Sequence, residues 1–265
     1  MIRVVPPLLR DLSDRSRKPS HGYELARSAD HGSFTISVDD RELRTVGSAL
    51  ALVDELLWHV NHEAILLGGA NIAIHASAVA WHGFGLLFPG SAGSGKTTLA
   101  AALLDAGARY LTDEAALIDP ATLMMHPYPK PMWMSPRSIR AIDGLAHRLL
   151  PDYRSLSRAR IYASPRDLGT GVAVAPLAVS HVIAPTYRPR MATSLEAISP
   201  AAGLMALSRN AFDLDRFRGE GVEVLGRVAS SAPCSRLLIG DVGEAVRSVE
   251  ALLATRASGG DGTER

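Results

Sequence analysis

Residues Gly85 to Leu104 read GLLFPGSAGSGKTTLAAALL, and the fold class turns on them. An apolar run, Gly85 to Phe88, leads into a stretch of glycine and serine. A second apolar run, Leu99 to Leu104, leads out of it. The middle, Gly90 to Thr97, has the form G-x-x-x-x-G-K-[ST], the Walker A pattern. A strand entering and a helix leaving are the context that pattern requires. Glycines let the backbone bend so that successive N–H groups face one point. The helix opening at Lys96 aims the positive end of its dipole there as well. Such a point holds phosphate. Lys96 is expected to reach the β- and γ-phosphates of a nucleoside triphosphate, and Thr97 to offer its hydroxyl to Mg²⁺. The expected phosphate-binding residues are therefore Gly90, Ser91, Ala92, Gly93, Ser94, Gly95, Lys96, Thr97 and Thr98.

Composition sharpens the weight placed on Lys96. Of 28 basic residues only Lys18, Lys96 and Lys130 are lysines, so generic surface charge is supplied by arginine. A lysine kept against that bias does what a rigid guanidinium cannot. Net charge is +1, which gives no global attraction to nucleic acid or to a bilayer surface. The apolar stretch from Ala64 to Ala80 is interrupted by Gly68, Gly69, Asn71 and His75, so no membrane span is expected. The run Val4 to Leu9 is too short and proline-rich for a signal-peptide core. The one cysteine, Cys234, excludes a disulfide within the chain and fits a reducing, cytoplasmic setting.

Around the loop, periodicity predicts alternating elements. Residues 1–32 read as polar and irregular. A strand is expected at Ser33–Val38, a turn at Asp39-Asp40, and a helix at Val46–Leu67 with Leu50, Val53, Leu57, Val60 and Ala64 on one face. Asn71–Trp81 and Phe84–Phe88 read as a hairpin through His82-Gly83. Strands follow at Arg109–Thr112, Ala115–Ile118, Leu123–His126, Val179–Ala184, Met191–Ile198 and Pro233–Ile239, with helices after Pro136, from Pro200 and over Val242–Thr255. Strands and helices mix, and consecutive strands often read as hairpins, which predicts an α/β core with antiparallel elements. The expected organisation is an N-terminal segment, 1–70, packed on one domain, 71–256, with a disordered tail, 257–265.

Two flanking features narrow the chemistry. His75 stands fifteen residues before Gly90, on the strand entering the hairpin. Asp113-Glu114 begins seventeen residues after Lys96, at the end of the next strand. Carboxylates beside a γ-phosphate can hold Mg²⁺ or take the proton of an attacking hydroxyl. The chain lacks an N-K-x-D base reader and an LSGGQ-like signature, which argues against a switch GTPase or an ABC-type ATPase. His59, His62 and Glu63, at helical spacing, read as a solvated helix face and not as a metal site.

The stretch Ile74 to Asp119, IHASAVAWHGFGLLFPGSAGSGKTTLAAALLDAGARYLTDEAALID, resembles the catalytic core of the HPr kinase/phosphorylase family. It resembles most closely the HPr kinase-related proteins without the full bifunctional machinery. The resemblance implies a P-loop kinase core of the HPr kinase/PEP carboxykinase type, with a mixed sheet and antiparallel hairpins. It implies ATP and Mg²⁺ as cofactors and transfer of the γ-phosphoryl group to a serine of a protein or precursor peptide. By its pattern Asp113 is the general base, His75 sits beside it and tunes it, and Glu114, where a second Asp is more common, joins Thr97 at the metal. Hexamers occur in the parent family, so a homo-oligomer is a further expectation. Ser135 to Ala146, SPRSIRAIDGLA, replaces the family's L-R-E-I-R-G-x-G run, so the implication does not extend to phosphorolysis or to HPr itself. A small-molecule kinase on the same core, or a nucleotide-gated regulatory module, is the alternative reading.

Overall fold

A computed structural model describes residues 5–12, 18, 21–28, 32–67, 69–145, 161–169, 171–173 and 175–259. After a short helix, α1 (Val5–Leu9), three strands, β1 (Tyr23–Arg27), β2 (Phe34–Val38) and β3 (Arg41–Val46), form an antiparallel sheet in that order. The turn between β2 and β3 puts Asp39 and Asp40 at φ 47° and 64°, the left-handed pair that a tight hairpin requires. Two of these strands depart from the sequence reading. β1 falls within a stretch expected to be irregular, and Val46 ends a strand instead of opening a helix. β3 is exposed and carries no apolar alternation, and in β1 only Tyr23 and Leu25 are half-buried, against the α2 cluster.

The long helix α2 (Ala49–Leu67) covers that sheet. Leu52 and Leu56 pack on Ile36 of β2, while Val53 packs on Leu8 of α1 and on Tyr162 further along the chain. The fully buried face therefore runs through Leu52, Val53 and Leu56, with Leu50, Leu57 and Val60 of the expected stripe partly buried beside it.

The hairpin follows as expected, with β4 (Ile72–Trp81) and β5 (Phe84–Pro89) antiparallel and Ser77 opposite Phe88. Next come α3 (Lys96–Asp105), β6 (Arg109–Thr112), β7 (Ala115–Ile118), β8 (Met124–His126), β9 (Met132–Met134), α4 (Pro136–Arg140) and β10 (Ile161–Ala163). The remainder is β11 (Leu177–Ala178), β12 (His181–Tyr187), β13 (Ser194–Ile198), α5 (Pro200–Ser208), α6 (Glu220–Ser231), β14 (Cys234–Ile239) and α7 (Val242–Gly259). The last helix includes Ala257–Gly259, which were expected in the tail; residues 260–265 lie outside the described residues.

Among the described residues nine strands form one mixed sheet, in the order β11-β8-β7-β4-β5-β12-β14-β13, with β6 also on β4. β5, β12 and β14 run parallel, and the rest of the pairs are antiparallel. β12 and β13 are consecutive in sequence but β14 lies between them, so they do not form a hairpin. Strand alternation sends successive residues to opposite faces. Val79, Trp81, Leu86, Phe88, Ile183 and Leu237 pack in the core shared with α3 and α7. Ile72, Ile74, Ala78, Leu87 and Val182 pack in the core shared with α5 and α6. The molecule is thus a mixed α/β fold with helices on both sides of a mixed sheet. No helix among the described residues is long and apolar enough to cross a membrane.

Candidate functional site

The parallel strands β5, β12 and β14 end at one edge, and the glycine loop leaves β5 there. Ligands of open α/β sheets sit outside such carboxyl ends. Gly93 and Gly95 take φ of 81° and 96°, the left-handed region, which lets the loop close into the first turn of α3. Neighbours crowd two of the loop glycines, while Gly93 faces open space. A Cβ on Gly90 would stand 2.5 Å from the Ser94 hydroxyl, and one on Gly95 3.3 Å from both Ile239 and Tyr187. Ala92 is exposed at the tip. The Ser91 carbonyl accepts from Lys96 Nζ at 3.4 Å and from Ser94 N at 3.2 Å. The Ser94 hydroxyl is buried within the loop and has no hydrogen-bond partner.

β4 brings the flanking residues to the loop. His75 and Ser77 lie on the same strand face as Val79 and Trp81, the face that α3 covers. The His75 carbonyl accepts from Gly90 N at 3.4 Å, which ties the strand to the loop. On its other edge β4 pairs first with β7, through Ile72–His75, and then with β6, through Ala78–Ala80. Asp113 and Glu114 occupy the break between those two partners, and Ala76 N donates to the Glu114 carbonyl at 3.3 Å. The acidic pair is therefore fixed opposite Ala76 and Ser77, beside the loop.

The two carboxylates have different surroundings. Asp113 is 5% exposed. It accepts a hydrogen bond from the Ser77 hydroxyl, and the Thr97 hydroxyl lies near enough to favour its ionised form. Burial raises its pKa above the ordinary carboxylate value, against the pull of Lys130, Ser77, Lys96 and Thr97. Glu114 is more open. One of its oxygens lies 3.2 Å from Lys130 Nζ and the other 3.8 Å from His75 Nε2. Burial and the Lys96 charge hold the His75 imidazole below its usual value, with Glu114 opposing them. Lys96 is itself buried, which lowers its pKa, while Asp113 and Glu114 raise it. Loop lysine, imidazole and both carboxylates thus form one electrostatic unit.

Of the expected phosphate-binding residues, Thr98 is engaged elsewhere through its side chain: its hydroxyl donates to Ser138 of α4 at 2.8 Å. Arg137, on the same helix, bonds the Tyr187 hydroxyl at 2.6 Å and lies over its ring, beside Gly95. Hard oxygen donors from Thr97, Asp113 and Glu114 suit Mg²⁺, which characteristically takes one or two carboxylates together with phosphate oxygens. Among the described residues no three His, Cys, Asp or Glu side chains cluster as a metal site. His59 instead meets the Tyr23 hydroxyl at 2.8 Å, and His62 stacks on Trp58.

The chain matches no protein-family model, and no curated protein matches it.

Sequence reading missed Ser77 and Tyr128. Alternation from His75 places Ser77 on the same face two residues on, and that signal was legible. Tyr128 stands two residues before Lys130, and its N–H donates to the Leu111 carbonyl at 2.9 Å. No periodic pattern marks it, because it lies on an extended segment outside any regular element.

Proposed function

We propose that this chain is an ATP-dependent serine kinase on a P-loop kinase core of the HPr kinase-related type. Its acceptor is a serine of a protein or precursor peptide. The observation that carries the reading is that the buried Asp113 carboxylate, held by the Ser77 hydroxyl, stands beside the loop with Lys96, His75 and Glu114 around it. A phosphate loop alone binds; a buried carboxylate with a raised pKa at its edge adds a place for a proton.

The residues divide the work. Backbone N–H groups of Gly90 to Thr98 and the Lys96 ammonium hold the phosphates and balance their charge. Asp113 takes the proton of the serine hydroxyl as the serine oxygen bonds to the γ-phosphorus. The bond from that phosphorus to the β,γ-bridging oxygen breaks, and ADP leaves. His75 sets the field at the carboxylates. Thr97 and Glu114 would hold Mg²⁺, which supplies neutralisation of the phosphate charge when bound.

A specific observation favours a second division of the same labour. Asp113 lies near the Thr97 hydroxyl, at the expected metal position, while Glu114 is the more open carboxylate. In that case Asp113 holds Mg²⁺ and Glu114 is the base. Nucleotide titrations and steady-state rates test both. Lys96→Ala is expected to weaken ATP binding by about 10- to 100-fold, the worth of a charge-assisted contact. Loss of the base should cut the transfer rate by roughly 10²- to 10⁴-fold without changing the Mg²⁺ requirement. Loss of the metal ligand should raise that requirement. Asp113→Asn and Glu114→Gln are therefore expected to differ in Mg²⁺ dependence. Unchanged ATP affinity in Lys96→Ala sinks the kinase reading.

A further inference from the structure

A large cleft opens between α2 and the segment Tyr128–Trp133, and Glu114 lies at it. Its volume is about 1050 Å³, at the upper limit of what small-molecule sites need. None of the loop residues Gly90 to Thr98 lines it.

Three features say what it takes. The first is a hydroxyl awaiting a partner. Tyr128 is 8% exposed, lines the cleft, and its Oη is buried with no hydrogen-bond partner. A buried hydroxyl left unpaired is costly, so a ligand that bonds it gains more than one that meets water. Asn61 Oδ1, on the α2 wall, is also buried without a partner, and it accepts where Tyr128 can donate. A donor on one wall and an acceptor on the other suit the C=O and N–H groups of a peptide backbone. The second feature is aromatic. Trp58 of α2 and Trp133 of β9 line the cleft and are 59% and 41% exposed. Exposed tryptophans on facing walls are anchors for apolar or cationic side chains. The third is charge. Asp54, Glu55, Glu63 and Glu114 line the cleft against the cations Arg44 and Lys130. Among the described lining residues the formal count is thus four carboxylates to two cations, with Arg44 held by both oxygens of Glu55, at 2.9 and 3.0 Å, and Lys130 by Glu114.

We infer that this cleft is the acceptor groove and that its occupant is a peptide segment with basic side chains flanking the reactive serine. The inference rests on the kinase reading above. The serine sits at the Glu114 and Tyr128 end, and the flanking residues run outward between Trp58 and Trp133.

Two fluorescein-labelled peptides test it, one with a central serine flanked by arginine and leucine, the other with glutamate in place of arginine. Their anisotropy is followed with full-length protein, Mg²⁺ and a non-hydrolysable ATP analogue, and nucleotide affinity is measured separately. The arginine peptide is expected to bind at least about 10-fold more tightly, in line with charge complementarity across an interface. Trp58→Ala and Trp133→Ala, both at exposed positions, should each weaken it by about 10-fold and leave nucleotide affinity unchanged. Tyr128→Phe should weaken it by about 5-fold, the worth of one neutral hydrogen bond. If nucleotide binds but the two peptides bind equally, or the tryptophan variants bind the arginine peptide as wild type does, the groove assignment is wrong while the kinase reading stands. If wild-type protein binds no nucleotide, both fall together.

Discussion

Asp113 carries a proton equilibrium that links chemistry to stability. Burial raises its folded pKa above 3.8. Between 3.8 and that raised value the folded state holds the extra proton, so stability falls as pH rises through the window. Above it, the ionised carboxylate is a standing cost. Asp113→Asn removes the charge while keeping the shape. Its melting temperature at pH 7 is therefore expected to equal or exceed that of wild type, even as activity is lost. A clear drop in melting temperature would mean that the carboxylate is structural. His75 has the opposite dependence. Its pKa is depressed below 6.5 by burial and Lys96, so the unfolded chain binds the proton first and stability is lost as pH falls below 6.5. Thermal melts from pH 5 to 8 should show a steeper acid-side fall for wild type than for His75→Asn. At this scale the sequence was readable where spacing is rigid: Lys96 and Thr97 by motif, His75 and Asp113 by distance from the loop. It was silent on how the two carboxylates differ, because burial depends on β4 exchanging β7 for β6, and no local pattern announces that exchange.

The hairpin of β4 and β5 is the element that makes the site, since it delivers the loop from one strand and His75 and Ser77 from the other. Its packing is tight on the far side of the sheet edge. A Cβ on Gly85 would stand 2.2 Å from the Ala178 carbonyl of β11 and 2.9 Å from Met125 of β8. Gly85→Ala should cost about 1–3 kcal/mol by overpacking, read as a lower denaturant midpoint. Gly47→Ala, with nothing within 4 Å, should leave the midpoint within about 0.5 kcal/mol of wild type. Elements were legible where burial writes a period into the sequence. β4, β5, α3 and β14 are buried on both sides or along one face, and their boundaries were close to those expected. β3 was missed because an exposed strand selects charge as freely as apolarity, and β1 because its inward side is only Tyr23 and Leu25. β9 and β10 were missed because each is three residues long and its partner is distant in sequence.

On the scale of the whole molecule, the N-terminal residues are joined to the main body by real contacts. Val53 and Leu8 bury against Tyr162, and the Tyr162 hydroxyl donates to Asp54 of α2. What no stretch of sequence discloses is the cleft, because its walls come from α2 and from Tyr128–Trp133, brought together only by this packing. The mixed α/β character was legible from alternation of elements, but the strand order was not, since β14 inserts between β12 and β13. Tyr162→Phe should loosen α2 from the body by about 1 kcal/mol, the worth of one hydrogen bond, and raise the apparent KM for a peptide acceptor more than it lowers kcat. An equal fall in kcat with unchanged KM would separate α2 from acceptor binding.

Transfer to serine is open to direct measurement. The direct measurement incubates the protein with γ-labelled ATP, Mg²⁺ and a library of serine-centred peptides, then assays phosphoserine after acid hydrolysis. Labelled phosphoserine is expected with wild type, and a yield lower by roughly two orders of magnitude or more in Asp113→Asn and Glu114→Gln combined, with ATP still bound. ATP bound by wild type with no label on serine, or label undiminished in the double variant, would contradict it.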